Sequence, residues 1–229
     1  MEDPMTVYAI PNYECNLSCP HCELHEKHIE FRPEAFYAKL QSFSSADHVT
    51  LFGGEPTLFP DRFAKCLSFP SVKSVSTNLL VLSDPAFSSL LTSHASIATS
   101  WNLTRFAPPQ YKAWLKNLAK LKSKKCMVMV TMTQDLVTDH GYKRFLSVLK
   151  DIDQTQGCSK VLLEHYVGSY ATEDYNRLCD QWLCRLHSDW TFSFENSIEK
   201  KLREGWTHDC SDTWTLEPDG SFHRGCPQA

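Results

Sequence analysis

Three cysteines stand close together near the start of the chain, in the run Cys15–Asn16–Leu17–Ser18–Cys19–Pro20–His21–Cys22. The spacing Cys-x3-Cys-x2-Cys lets three thiolates on one short loop converge on a single small object. A 4Fe–4S cube held by only three cysteines keeps one iron without a protein ligand. That iron can take a chelating ligand from outside the protein. A structural zinc ion instead wants four ligands and a closed shell, and His25 or His28 could supply the fourth. A third chemistry is thiol redox, because Cys19–Pro20–His21–Cys22 puts a proline and a histidine between two thiols, and such surroundings lower a thiol pKa. A second constellation, Gly53–Gly54–Glu55–Pro56, has two residues without side chains. It could be a plain turn, or a place where backbone approaches a ligand closely.

The elements that must position these residues can be read from the apolar pattern. Strand-like runs cover residues 7–10, 48–52, 72–77, 95–101, 126–133 and 160–166. Helical spacing of apolar residues fills the gaps at 33–43, 60–68, 84–92, 110–122, 141–151 and 173–187. Strands separated by helices imply right-handed βαβ units and a parallel sheet. The expected fold is therefore α/β, a partial (β/α)6 barrel with parallel strands, plus a short C-terminal hairpin-containing extension. Ligands in such folds bind at the carboxyl ends of strands. The cysteine run follows the first strand and Gly53–Gly54–Glu55 follows the second, so both sit where that rule puts a site.

On these two motifs the sequence resembles the radical S-adenosylmethionine enzymes, whose signature loop has this cysteine spacing and whose next βα unit carries a Gly-Gly-Glu segment. The resemblance runs over about residues 7–168. It implies that Cys15, Cys19 and Cys22 bind a 4Fe–4S cluster and that S-adenosyl-L-methionine chelates the open iron. One electron then breaks a sulfur–carbon bond of the cofactor, and the 5′-deoxyadenosyl radical takes hydrogen from a substrate. Gly53, Gly54 and Glu55 are implied to bind the cofactor, the Glu by accepting a charge-assisted bond from its ammonium. His21 falls where the family has an aromatic ring near the adenine. Asn78, Ser100 and Asn102, at the ends of the third and fourth strands, are implied as further cofactor contacts. Thr131, Thr133, Glu164 and His165 end the fifth and sixth strands in the same manner. An external electron donor of flavodoxin or ferredoxin type is implied as a partner.

The domain of this kind is expected over residues 1–188, with an extension over 189–229. Within the extension, Cys210 and Cys226 bracket a turn signal, Glu217–Pro218–Asp219–Gly220, that predicts a hairpin. This stretch is similar to the opening of the SPASM or twitch auxiliary-cluster modules, which implies a peptide or protein substrate. A glycyl-radical activating enzyme and a nucleotide- or metabolite-modifying enzyme are the alternatives. Cys179 and Cys184 could complete a four-cysteine set, but on one helix they point about 140° apart. His208 and His223 offer a zinc site with the tail cysteines as a further alternative.

The remaining composition narrows the class. The chain has 229 residues, ten cysteines and a formal net charge of −4. A broadly basic surface for nucleic acid is absent, and no nucleic-acid partner is expected. No apolar run approaches the roughly 20 residues that span a bilayer, and the N-terminal run does not read as a signal peptide. The expectation is a cytoplasmic protein with reduced thiols and no membrane partner.

Overall fold

The computed structural model describes residues 4–19, 22–81, 83–122, 126–158, 160–165, 173–189 and 213–225. Among these the elements run β1 (Thr6–Ala9), α1 (Pro33–Ser42), β2 (His48–Leu51), α2 (Pro60–Leu67), β3 (Val72–Ser76), α3 (Asp84–Thr92) and β4 (Ser96–Trp101). They continue as α4 (Pro108–Ala119), β5 (Cys126–Met132), α5 (Asp139–Thr155), β6 (Lys160–His165), α6 (Glu173–Asp189), β7 (Thr213–Leu216) and β8 (Phe222–Arg224). The class is α/β with parallel strands and an antiparallel C-terminal hairpin, as the sequence predicts. The described residues fall into two compact units, one built from the chain up to Thr99 with the C-terminal hairpin, the other beginning at Ser100 and ending with α6.

In the first unit the strands lie in the order β4-β3-β2-β1-β7-β8. All neighbours are parallel except the β7–β8 pair. β1 pairs with β2 from Thr6↔His48 to Ala9↔Leu51, and with β7 from Thr6↔Thr213 to Ala9↔Leu216. The first strand of the chain is thus flanked on both edges, on one side by the hairpin near the other end of the chain. Val7, Ala9, Val49, Leu51, Val72 and Val75 are fully buried on one face of this sheet. Alternate residues Tyr8, Thr50 and Ser74 are half-buried on the other. Helices α1, α2 and α3 each carry proline in the first turn, where the missing N–H is not needed and the fixed φ suits the helix. Phe36, Leu40, Phe63, Cys66 and Leu90 are their inward residues, all fully buried.

In the second unit β5 and β6 pair in parallel from Met127↔Lys160 to Met132↔His165. Cys126, Val128, Val130 and Met132 are buried along one face of β5. Two helices differ from the expected bounds for identifiable reasons. α4 starts at Pro108 and not at 110, because its two leading prolines are accepted in the first turn. α5 starts at Asp139 and not at 141, because the Thr138 hydroxyl caps it, accepting from the Gly141 amide at 3.0 Å. It runs on to Thr155 and ends where Gln156 turns left-handed at φ +54°. Trp182 of α6 packs its ring against Tyr142 and Phe145 of α5.

Candidate functional site

The site begins where β1 leaves the sheet. Past Ala9 the chain keeps extended contact with both neighbours. On the β2 side, the amides of Phe52, Gly54 and Glu55 donate to the carbonyls of Ala9, Asn12 and Glu14 at 3.0, 3.0 and 2.7 Å. On the β7 side, the Ile10 amide donates to the Leu216 carbonyl at 2.9 Å, and the Tyr13 hydroxyl donates to Glu217 Oε2 at 2.5 Å. Cys15 therefore emerges at the carboxyl end of a parallel sheet, with the segment before it held on two sides. The approach of Gly54 to that segment leaves no room for a side chain. A Cβ there would lie 2.0 Å from the Glu14 carbonyl oxygen and 2.6 Å from the Tyr13 carbonyl carbon. Gly53 adds a left-handed φ of +114°, a conformation that glycine adopts without strain.

The loop itself is anchored by its apolar residues. Leu17 and Leu24 are buried, and Leu24 packs with Ile10 and Tyr13, with Cys22 and Phe52 against them. Cys19 is buried, Cys15 and Cys22 are half-buried, and none of the three is in a disulfide. The Cys22 amide donates to the Cys19 carbonyl at 3.0 Å, which closes a turn between the second and third thiols. Asn78, just after β3, reaches across to the first. Its side-chain amide donates to Asn16 Oδ1 at 2.7 Å and lies 3.8 Å from Cys15 Sγ. Its own Oδ1 accepts from the Leu80 amide at 2.9 Å, which fixes the side chain's direction.

Glu55 ties the ends of β2 and β3 together. It is 1% exposed. Its Oε1 accepts from the Thr57 amide at 3.1 Å and from the Thr57 and Thr77 hydroxyls at 2.6 and 2.7 Å. Oε2 accepts from the Asn78 amide at 2.6 Å. Burial raises the Glu55 pKa and these four donors oppose the rise, with burial the larger influence. Every donor needs an acceptor facing it, so Glu55→Gln puts an NH2 group opposite a donor. The expected cost is about 1–3 kcal/mol of stability, the penalty for a buried polar group left unsatisfied. A shift in the denaturant midpoint of the variant checks it.

Arg62 of α2 closes the loop from below its two ends. Its Nη1 donates to the Pro11 carbonyl at 2.8 Å. Its guanidinium lies 3.7 Å from the centre of the Phe31 ring and 4.4 Å from that of Phe59, a cation–π arrangement. Pro11 and Phe31 flank the cysteine loop, so one arginine grips both sides of its neck.

Of the residues expected from sequence, Cys15, Cys19, Cys22, Gly53, Gly54, Glu55 and Asn78 belong to the first unit and are joined by the contacts above. Ser100 and Asn102 belong to the second unit. Ser100 is half-buried on β4. Asn102 is buried and its Oδ1 accepts from the Thr104 amide at 3.2 Å, a local turn cap. Thr133 is buried, and its hydroxyl has no hydrogen-bond partner among the described residues. His21, Cys210, Cys226 and His208 lie outside the described residues, as do the side chains of His25, Glu164 and His165. On α6, Cys179 is buried and Cys184 exposed, in keeping with their expected angular separation. The sequence reading missed Tyr13, Thr57, Arg62 and Glu217. Thr57 had a local signal, a hydroxyl two residues after a carboxylate. The other three had none, because their partners are distant in the chain.

The residues present suit an iron–sulfur cluster. Three thiols share one short, anchored loop, and none of them is taken up in a disulfide. Among the described residues, no three His, Cys, Asp or Glu side chains gather as a cage for one ion. A cube does not ask for that, since each thiolate takes a different iron.

No protein-family model matches the chain, and no curated protein matches it in sequence. Among solved structures, Streptococcus suis SuiB bound to S-adenosylmethionine has a similar fold, with a TM-score of 0.65. The likeness covers 98% of this chain at 15% sequence identity. The chain spans 58% of the length of that SuiB chain. At this identity the likeness establishes the fold, and it agrees with the partial-barrel α/β class. Among the described residues, no helix is long and apolar enough to cross a membrane.

Proposed function

We propose that this chain is a radical S-adenosylmethionine enzyme. The observation that carries the reading is the meeting of three strand ends. The three-thiol loop leaves β1, Gly53–Gly54–Glu55 leaves β2 against it at 2.7–3.0 Å, and Asn78 leaves β3 with its amide beside Cys15. In this reading Cys15, Cys19 and Cys22 hold a 4Fe–4S cluster and leave one iron open to S-adenosylmethionine. When bound, the cluster supplies the electron that breaks a sulfur–carbon bond of S-adenosylmethionine, and the 5′-deoxyadenosyl radical so released takes a hydrogen atom from the substrate.

The chain's own residues bind and orient. Gly53 and Gly54 bring bare backbone to the ligand. Glu55 Oε2 accepts from the Asn78 amide and has lone-pair capacity for the ligand's ammonium. His21, Ser100 and Asn102 are the further contacts in this reading. The fold likeness to a protein bound to S-adenosylmethionine supports it.

A peptide or protein is the substrate class put first. The support is the tail hairpin with Asp219–Gly220 at its turn, which resembles the opening of the SPASM and twitch modules. A flavodoxin or ferredoxin would supply the electron. The test is anaerobic reconstitution with iron and sulfide, followed by dithionite and S-adenosylmethionine. About four irons per chain and the appearance of 5′-deoxyadenosine are the expected result. A chain that takes up iron and sulfide yet forms no 5′-deoxyadenosine overturns the enzyme reading, and one that retains a single zinc instead favours a closed metal site.

A further inference from the structure

Three consecutive residues of the C-terminal hairpin reach both ends of the cysteine loop. Leu216 accepts from the Ile10 amide at 2.9 Å. Glu217 accepts from the Tyr13 hydroxyl at 2.5 Å. The Pro218 carbonyl accepts from the Arg32 amide at 2.9 Å. Ile10 and Tyr13 lie just before Cys15, and Arg32 lies after the loop, at the start of α1. The hairpin turn is built to stay there. The Glu217 amide donates to the Ser221 carbonyl and the Gly220 amide to the Glu217 carbonyl, at 2.9 and 3.0 Å. A Cβ on Gly220 would lie 2.6 Å from the Ala35 Cβ, so the turn rests directly on α1.

Tyr13 and Glu217 make the strongest of these links. Glu217 is 6% exposed and Tyr13 is equally buried. The second oxygen of Glu217 is held by His223 Nε2 at 3.1 Å. A hydrogen bond to a buried carboxylate is stronger than one between neutral groups. On the opposite side the same segment, residues 12–14, is held among the described residues by backbone bonds to Gly54 and Glu55 and by the Asn12 amide on the Glu55 carbonyl at 3.3 Å. The hairpin therefore supplies the one side-chain latch, among the described residues, between β7's end and the residues leading into Cys15.

We propose that the C-terminal hairpin is part of the cluster-binding site: Glu217 through Tyr13, with Leu216 and Pro218, sets the cysteine loop in the conformation that receives the cluster. Tyr13 and Glu217 are positioning residues, and the proposal rests on the reading of the loop as a cluster site. Fixing both ends of a loop removes the closure entropy that binding would otherwise have to overcome.

The test begins on the full chain without iron, where alkylation by iodoacetamide is followed cysteine by cysteine. Tyr13→Phe and Glu217→Ala should alkylate Cys15, Cys19 and Cys22 about tenfold faster, the factor that loss of one hydrogen bond to a charged group gives. Cys66 lies in the core of the same unit, fully buried, and reports general loosening; its rate should not change. Glu217→Gln keeps an oxygen for the tyrosine hydroxyl but not its charge, and should alkylate at a rate between those of the parent and Glu217→Ala. After reconstitution, Tyr13→Phe should lose iron to a chelator correspondingly faster. Unchanged loop cysteines in Tyr13→Phe, or a rise that Cys66 shares, overturns the proposal. Because alkylation needs no metal, a parent chain that takes up no iron refutes the cluster reading and leaves the latch result standing on its own.

Discussion

Replacing any one of Cys15, Cys19 and Cys22 by alanine is expected to abolish 5′-deoxyadenosine formation. Each thiolate of a three-cysteine cluster serves a different iron, so a single loss opens a second iron corner of the cube. The variants should come through reconstitution without the visible absorbance of a cluster. Cys66→Ala is the matching control. Cys66 sits on α2 in the apolar core, and burial pushes its thiol up to about 12, which makes it a packing residue and not a ligand. Its alanine variant should keep the cluster and the cleavage rate, with a small loss of stability. Cleavage retained in Cys15→Ala would remove the loop from the proposed chemistry.

Gly54→Ala is expected to have an effect almost as large, by another route. No ligand is lost, but the new methyl would fall 2.0 Å from the Glu14 carbonyl oxygen, against backbone that is itself hydrogen-bonded. The segment from Tyr13 to Glu14 must move away by an ångström or more, and the bonds from Gly54 to Asn12 and from Glu55 to Glu14 break or lengthen. Overpacking of this kind costs about 1–3 kcal/mol of stability. Displacement of a reacting group by about 1 Å costs roughly a hundredfold in rate. The measurement is 5′-deoxyadenosine per bound cluster, so that reduced iron loading and reduced catalysis are read separately. A Gly54→Ala chain with the parent's rate per cluster would show that the tight approach at this position does nothing for the site.

The sequence read the local parts of the fold well because those parts are written locally. The run Val-Met-Val inside β5 and the prolines opening α1, α2 and α3 each declare an element to within a residue or two. The three main pieces of the candidate site were legible for the same reason: the thiol spacing, the paired glycines and Asn78 at a strand end are each marked within a few residues. Glu55 was legible as a candidate position but not as a junction. Its four donors come from Thr57, Thr77 and Asn78, and two of those residues are brought in by β3. The attachment of the hairpin was not legible at all. Asp219–Gly220 predicts a turn whatever strand edge it ends up on, and nothing near Thr213 says that β7 will take the free edge of β1. Tyr13 carried no signal in its own neighbourhood, since its partner lies at position 217.

The pairing of β1 with β7 also orders events in time. Thr6 leaves the ribosome long before its strand partner Thr213. Until the hairpin emerges, β1 has one bare edge and the cysteines hang from a segment held on the β2 side alone. Contacts this distant in sequence form late and slowly, and unpaired edges invite wrong partners while they wait. The proposed cluster loop is thus made well before it is set, so in that reading an iron donor meets a finished binding loop only on a chain whose hairpin has already joined the sheet.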